Sequence, residues 1–141
     1  MTIALSKVAY TTSATAKGGR AGHVQSADGV IDLDLGQPGS YQGEPKANPE
    51  TLFAAGYSAC FQGALANRAK TKGVDTSDST VTAEVSFGPS EDGGFGLAVE
   101  LKVHVPGQDP ETVRELVGLA HEFCPYSKAT RGNIDVTLTI L

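Results

Sequence analysis

The sequence predicts an α+β fold of order βββ-α-ββ-α-β, with mostly antiparallel sheets and a long central helix carrying Cys60. Three observations carry this. Segments before residue 36, over residues 80–105 and over residues 134–141 alternate apolar and polar side chains with the period of a strand. Two pairs, Asn48-Pro49 and Asp109-Pro110, each open a run with helical spacing, Asn or Asp supplying a cap and proline filling the first helical position. At 141 residues and 40% apolar content the chain can bury one core but is short for two domains of ordinary size, so a single domain over residues 1–141 is expected.

Taken in order, Val8 to Thr15 is rich in Thr, Val and Tyr and reads as a first strand, which Gly18-Gly19 turns sharply before Arg20. Val24 and the alternation Val30 to Leu35 read as two further strands, with Asp28-Gly29 as the hairpin turn. Gly36 to Lys46 is a polar loop whose length suggests a functional or dimer-wrapping role, the alternative being a mobile surface loop. The helix opened by Asn48-Pro49 should run to about Lys72, where Gly73 stops it. Its small and apolar residues spread around much of the circumference, which predicts a core helix approached closely on more than one side.

Thr80 to Phe87 and Leu97 to Val105 alternate on either side of the Glu91 to Gly94 turn, an antiparallel hairpin. Asp109-Pro110 starts a second helix with Val113, Leu116, Val117 and Ala120 on one face, and Cys124-Pro125 ends it. Ile134 to Leu141 is the last strand.

Composition excludes some partners. A formal charge of -5 without a long Lys/Arg block leaves no basic patch for nucleic acid or an anionic membrane. Ser6, Lys7, Thr11 and Thr12 interrupt any apolar run at the N-terminus, and Leu52 to Ala66 is shorter than the roughly 20 residues a membrane span needs. A cytoplasmic protein is expected. No phosphate loop, dinucleotide fingerprint or zinc-protease pattern occurs, and His23, His104 and His121 share no ligand spacing, so no cofactor or metal is expected.

Two cysteines remain. Cys60 and Cys124 are far apart in sequence, and in a reducing compartment they are either inert core thiols or a transient redox pair. Cys60 lies mid-helix among Gly56, Gly63 and Ala64, which leave room for a ligand or serve tight packing, and a thiolate there needs a nearby cation. Arg20, on its glycine-rich turn, can pair with a thiolate and bind an oxyanion, or be solvated. Cys124 ends a helix, where the dipole opposes a thiolate and suits a thiol that attacks second. Tyr126 offers a hydrogen-bonding group or an aromatic wall, or packs the loop. Glu50 precedes Cys60 by ten residues, about 15 Å along one helix, so it joins the site only through a bridging group or a second subunit; otherwise it is a favourable first-turn charge.

The words around both cysteines are specific. Asn48-Pro49-Glu50 with Leu52-Phe53-Ala54-Ala55-Gly56-Tyr57-Ser58-Ala59-Cys60-Phe61, and Phe123-Cys124-Pro125-Tyr126-Ser127 leading through Ala129-Thr130-Arg131-Gly132-Asn133-Ile134, resemble the two signature segments of the organic hydroperoxide resistance proteins. These belong to the superfamily that includes the osmotically inducible peroxidases, and the second segment favours the former branch. Gly18-Gly19-Arg20 resembles that family's arginine loop; Lys128 departs from the asparagine expected between Ser127 and Ala129. The resemblance, which spans essentially the whole chain, implies an intertwined homodimer with active sites at the subunit interface. Cys60 would be the peroxidatic cysteine, Cys124 the resolving one, and Arg20 and Glu50 the pair that organises thiolate and peroxide. It further implies reduction of alkyl or fatty acid hydroperoxides, with dihydrolipoamide or a lipoylated protein reopening the Cys60-Cys124 disulfide.

Phe53, Phe61 and Tyr126 are candidates to receive the apolar tail. Three other readings stay open. A non-enzymatic thiol redox sensor would use the same pair, a cysteine hydrolase would need a histidine base that has no evident place, and a structural dimer would hold inert thiols.

Overall fold

Asp28-Gly29 turns the chain back on itself as predicted. The Asp28 carboxylate accepts from the Ser26 hydroxyl at 2.6 Å and from the Val30 backbone N–H at 3.0 Å, a side-chain turn that glycine completes with a positive φ of 76°. The computed structural model describes residues 2–141. Its described residues fall into two compact units, one ending at Pro49 and one spanning Glu50–Leu141.

The first unit is a three-stranded antiparallel sheet in the order β1 (Ala14–Lys17), β2 (His23–Ser26), β3 (Asp32–Asp34). A single 3-10 turn, Gly19–Ala21, joins β1 to β2 and carries Arg20. Glycine is required where this turn closes: a Cβ on Gly22 would stand 1.9 Å from the Lys17 carbonyl oxygen. The first strand begins later than predicted. Residues 2–13 form no helix or strand, and Ile3, Leu5, Val8 and Tyr10 are 74, 78, 62 and 83% exposed. Strand propensity alone does not make a strand, since the ladder needs a partner backbone, and β2 is only four residues long. The Gly36 to Lys46 segment is irregular, as expected.

The second unit is built on α1 (Pro49–Lys72), a helix of 24 residues. Gly73, at a φ of 68°, ends it where predicted, and the Val74 N–H bonds back to the Ala69 carbonyl at 3.1 Å. The strands β4 (Thr80–Pro89) and β5 (Phe95–His104) form the predicted hairpin, and β6 (Val136–Ile140) joins β5 in parallel. A parallel neighbour needs a crossover, which α2 (Pro110–Phe123) and α3 (Pro125–Thr130) supply. The Asp109 carboxylate accepts from the Thr112 N–H at 3.1 Å and caps α2 as expected.

A third helix was not expected. Pro125 reads as a stop because proline disrupts the helix that precedes it, but at a first helical position it equally begins a new one, and here it does both.

The core gathers Leu101 and Val103 of β5, Tyr57, Phe61 and Leu65 of α1, Leu116, Val117 and Ala120 of α2, and Cys124. Each large apolar side chain so buried contributes about 1.5–3 kcal/mol. The buried residues of α1 form one stripe, Tyr57, Phe61, Ala64, Leu65 and Ala69, while Ala55, Ala59 and Gly63 are exposed. Outside this stripe Tyr126 approaches the helix closely at Gly56, while the face of Ala55, Ala59 and Gly63 is left uncovered within the unit.

Candidate functional site

Cys60 and Cys124, 64 residues apart in sequence, bring their sulfurs to 3.5 Å. No disulfide links them; Cys60 is half-buried and Cys124 fully buried. Their meeting follows from the packing of α1 against the break between α2 and α3. At that break Cys124 leaves helical geometry, with φ −63° and ψ 125°, while its N–H still bonds to the Ala120 carbonyl at 2.8 Å. It is the last capping position of one helix and the first of the next.

The electrostatics of Cys60 are mixed. Burial pushes its thiol up from the ordinary range, the backbone N–H of Tyr126 pulls it down by donating to the sulfur, and the Cys124 sulfur pushes it up again. The Tyr126 donor has a local origin. Proline at the head of α3 has no N–H, so that of Tyr126 is the first unsatisfied donor of the helix, and it points at Cys60. Burial outweighs this single bond, so Cys60 needs a further positive charge to become a thiolate at neutral pH.

Tyr126 also packs its ring over the helix that holds Cys60. Its ring centroid lies 6.3 Å from that of Phe53 and 5.8 Å from that of Tyr57. Tyr126 and Phe53 thus stand beside the cysteine pair, with Tyr126 substantially exposed, whereas Phe61 is fully buried in the core behind it.

Beneath Cys124 lies a polar group that sequence reasoning missed. The Tyr57 hydroxyl is 2.8 Å from the Ser127 hydroxyl and 3.1 Å from that of Thr130, and His121 Nδ1 is 2.8 Å from the Ser127 hydroxyl. Burial lowers the pKa of His121, the Arg131 guanidinium lowers it further, and Glu122 opposes both. Arg131 also donates to the His121 backbone carbonyl. The available signal was spacing: Tyr57 precedes Cys60, and His121 precedes Cys124, by three residues, close to one helical turn.

Arg20 sits half-buried on the 3-10 turn of the first unit, and Glu50 half-buried in the first turn of α1. The site residues brought together within the second unit are Cys60, Cys124, Tyr126 and Phe53. Among the described residues no group of three or more His, Cys, Asp or Glu is placed to hold a metal ion, and no helix is long and apolar enough to cross a membrane.

Comparison with known proteins shows the family and the fold. The family described as OsmC-like protein matches residues 41–139. The chain is 51% identical to organic hydroperoxide resistance protein OhrB of Bacillus subtilis over 133 residues, 93% of this chain and 97% of that protein. It is 48% identical to the organic hydroperoxide resistance protein of Xanthomonas axonopodis pv. citri, covering 95% of this chain and 96% of that one. The crystal structure of the Bacillus subtilis OhrB protein superposes with a TM-score of 0.90 at 50% identity, over 95% of this chain and 100% of that chain. With matches of this length and identity, the chain belongs to the organic hydroperoxide resistance proteins of the OsmC-like family.

Proposed function

We propose that this protein is a cysteine-based peroxidase that reduces alkyl or fatty acid hydroperoxides to alcohols. The names of its relatives support a role in organic hydroperoxide resistance. The observation that carries the thiol mechanism is the 3.5 Å approach of the Cys60 and Cys124 sulfurs. A disulfide requires about 2.05 Å, so only a small closing movement separates the two thiols from a bond.

In the first step the Cys60 thiolate attacks the outer peroxide oxygen. The O–O bond breaks, sulfur is oxidised to a sulfenic acid, and the alkoxide takes a proton and leaves as the alcohol. Cys124 then attacks the Cys60 sulfur, expelling the sulfenic oxygen as water and leaving a disulfide. A lipoyl dithiol, on dihydrolipoamide or a lipoylated protein, reopens it by thiol-disulfide exchange. Arg20 supplies the cation that the buried Cys60 thiol lacks and stabilises charge on the departing oxygen, with Glu50 fixing the guanidinium. Phe53 and Tyr126, backed by Phe61, receive the apolar tail.

A homodimer is part of this reading. Exposed Ile3, Leu5, Val8 and Tyr10 on a segment outside any helix or strand, and the exposed small residues Ala55, Ala59 and Gly63 one turn apart on α1, are surfaces that a second copy would cover. The expected compartment is the reducing cytoplasm, where a reversible disulfide is useful.

The test is steady-state consumption of tert-butyl hydroperoxide with dihydrolipoamide as reductant. Turnover that greatly exceeds that with hydrogen peroxide or glutathione supports the assignment. A pair that oxidises once and is not turned over by dithiol would favour a redox sensor.

A further inference from the structure

One buried hydroxyl joins the three helices that carry the two cysteines. Ser127 is fully buried in α3, three residues after Cys124. It meets Tyr57 of α1 at 2.8 Å and His121 of α2 at 2.8 Å. The Thr130 hydroxyl closes the group, donating to the Ser127 carbonyl at 3.2 Å and lying 3.1 Å from the Tyr57 hydroxyl. Among the described residues no buried side-chain oxygen or nitrogen is left without a partner, so the group is fully satisfied.

Its position is what gives it a role. Cys124 occupies a non-helical residue between two helices, a natural pivot. On the α2 side its backbone is held by the bond to Ala120; on the α3 side the Ser127 hub ties the following turn to α1 three residues before Cys60. Arg68 of α1 stacks 4.4 Å above the Phe123 ring, a second tie from the same helix to the same junction. Attack by the first cysteine on peroxide does not need Cys124 in place, whereas the second step needs its sulfur aligned with the breaking S–O bond.

We propose that Tyr57, Ser127 and His121 are positioning residues for the resolving step, holding Cys124 against Cys60 so that the sulfenic acid is captured inside the protein. This rests on the peroxidase reading above. In that step the Cys124 sulfur forms the S–S bond, the Cys60 S–O bond breaks, and the thiol proton leaves with the oxygen as water. The oxidising equivalents are those already taken from the organic hydroperoxide.

The test is a single turnover with tert-butyl hydroperoxide, quenched at intervals and analysed by intact mass, with a cyclic 1,3-dione present in parallel to trap sulfenic acid. His121→Ala and Tyr57→Phe should leave the first oxidation within about twofold of native and slow disulfide formation by roughly tenfold to a hundredfold, the effect of a misplacement of about 1 Å. Trapped sulfenic acid should rise to match. His121→Asn, whose amide can donate or accept near the Nδ1 position, should restore most of the resolving rate. If Tyr57→Phe does not fold, the His121 pair decides the matter. Unchanged resolution in His121→Ala, or equal slowing of both steps, overturns the proposal while leaving the peroxidase reading intact. Failure of the native protein to oxidise at Cys60 overturns both.

Discussion

Tyr126 lies directly on Gly56: a Cβ built on the glycine would stand 2.9 Å from the tyrosine hydroxyl oxygen and 3.1 Å from its Cε2. The absence of a side chain, one turn before Cys60, is what lets the α3 helix bring a backbone N–H to the sulfur. Gly56→Ala should therefore move Tyr126. Alanine gains about 1 kcal/mol over glycine in a helix, and the partly exposed ring can swing outward, so thermal stability should change little. Peroxidase activity should nonetheless fall several-fold. Paired melting curves and hydroperoxide assays check this; a loss of stability without loss of specific activity would contradict it.

The proposed pairing of Arg20 with the Cys60 thiolate predicts a shift when the guanidinium is removed. Under the role proposed for Arg20, the Cys60 thiol should titrate higher in Arg20→Ala than in the native protein, where burial already pushes it up. Less thiolate is then present at pH 7, and each unit of upward shift lowers that fraction about tenfold. The pH dependence of iodoacetamide alkylation, measured on a Cys124→Ser background in both forms, reports the shift. In the native Arg20 background the midpoint should lie lower.

In the first unit, His23 Nε2 lies 2.5 Å from an Asp32 oxygen and Nδ1 2.8 Å from an Asp34 oxygen. Hydrogen bonds to Asp34 and then Asp32 raise the histidine pKa, and the same contact with His23 lowers that of Asp34. The raised histidine stabilises the fold below its unfolded pKa, and this is lost as pH rises through the folded value. The depressed aspartate stabilises above its unfolded pKa and loses this as pH falls through its folded value. The bracket is therefore strongest between the two, and the protection of β2-β3 amides relative to their intrinsic exchange should be greatest on the acid side of neutrality. His23→Gln should flatten that dependence; all three groups are exposed, so the effect should be small.

Cys124→Ser should still consume one equivalent of hydroperoxide yet fail to sustain turnover with dihydrolipoamide, since no intramolecular disulfide forms. Progressive over-oxidation of Cys60 under excess hydroperoxide is expected in its place, visible as added oxygen atoms by mass. Sustained native-like turnover with the dithiol would assign Cys124 to structure.

Much of the fold was legible because its punctuation is local. Asn48-Pro49 and Gly73 bound α1, Asp109 caps α2, and Asp28-Gly29 makes the hairpin, all through groups within a few residues. What depends on partners was not legible. Val8 to Ser13 has strand composition and no strand, and the Ala55, Ala59 and Gly63 face of α1 is exposed where its small residues suggested a second packed side. Pro125 has two opposite local meanings, and only the packing of α3 selects between them. In the site, both cysteines were identified from the words around them, and their proximity is a tertiary fact. The Tyr57-Ser127-His121 group left only the three-residue spacings of Tyr57 and His121 to the cysteines as a mark, because the meeting of hydroxyls 70 residues apart is itself a tertiary fact.

The central claim is that Cys60 and Cys124 act in sequence on one hydroperoxide. Intact-mass analysis of the reduced protein after one equivalent of tert-butyl hydroperoxide tests it most directly. The native chain should lose two hydrogens with release of one equivalent of alcohol, Cys124→Ser should gain one oxygen, and Cys60→Ser should remain unchanged. Oxidation of Cys60→Ser at the native rate, or a native chain that stays reduced while folded and dimeric, would contradict the account.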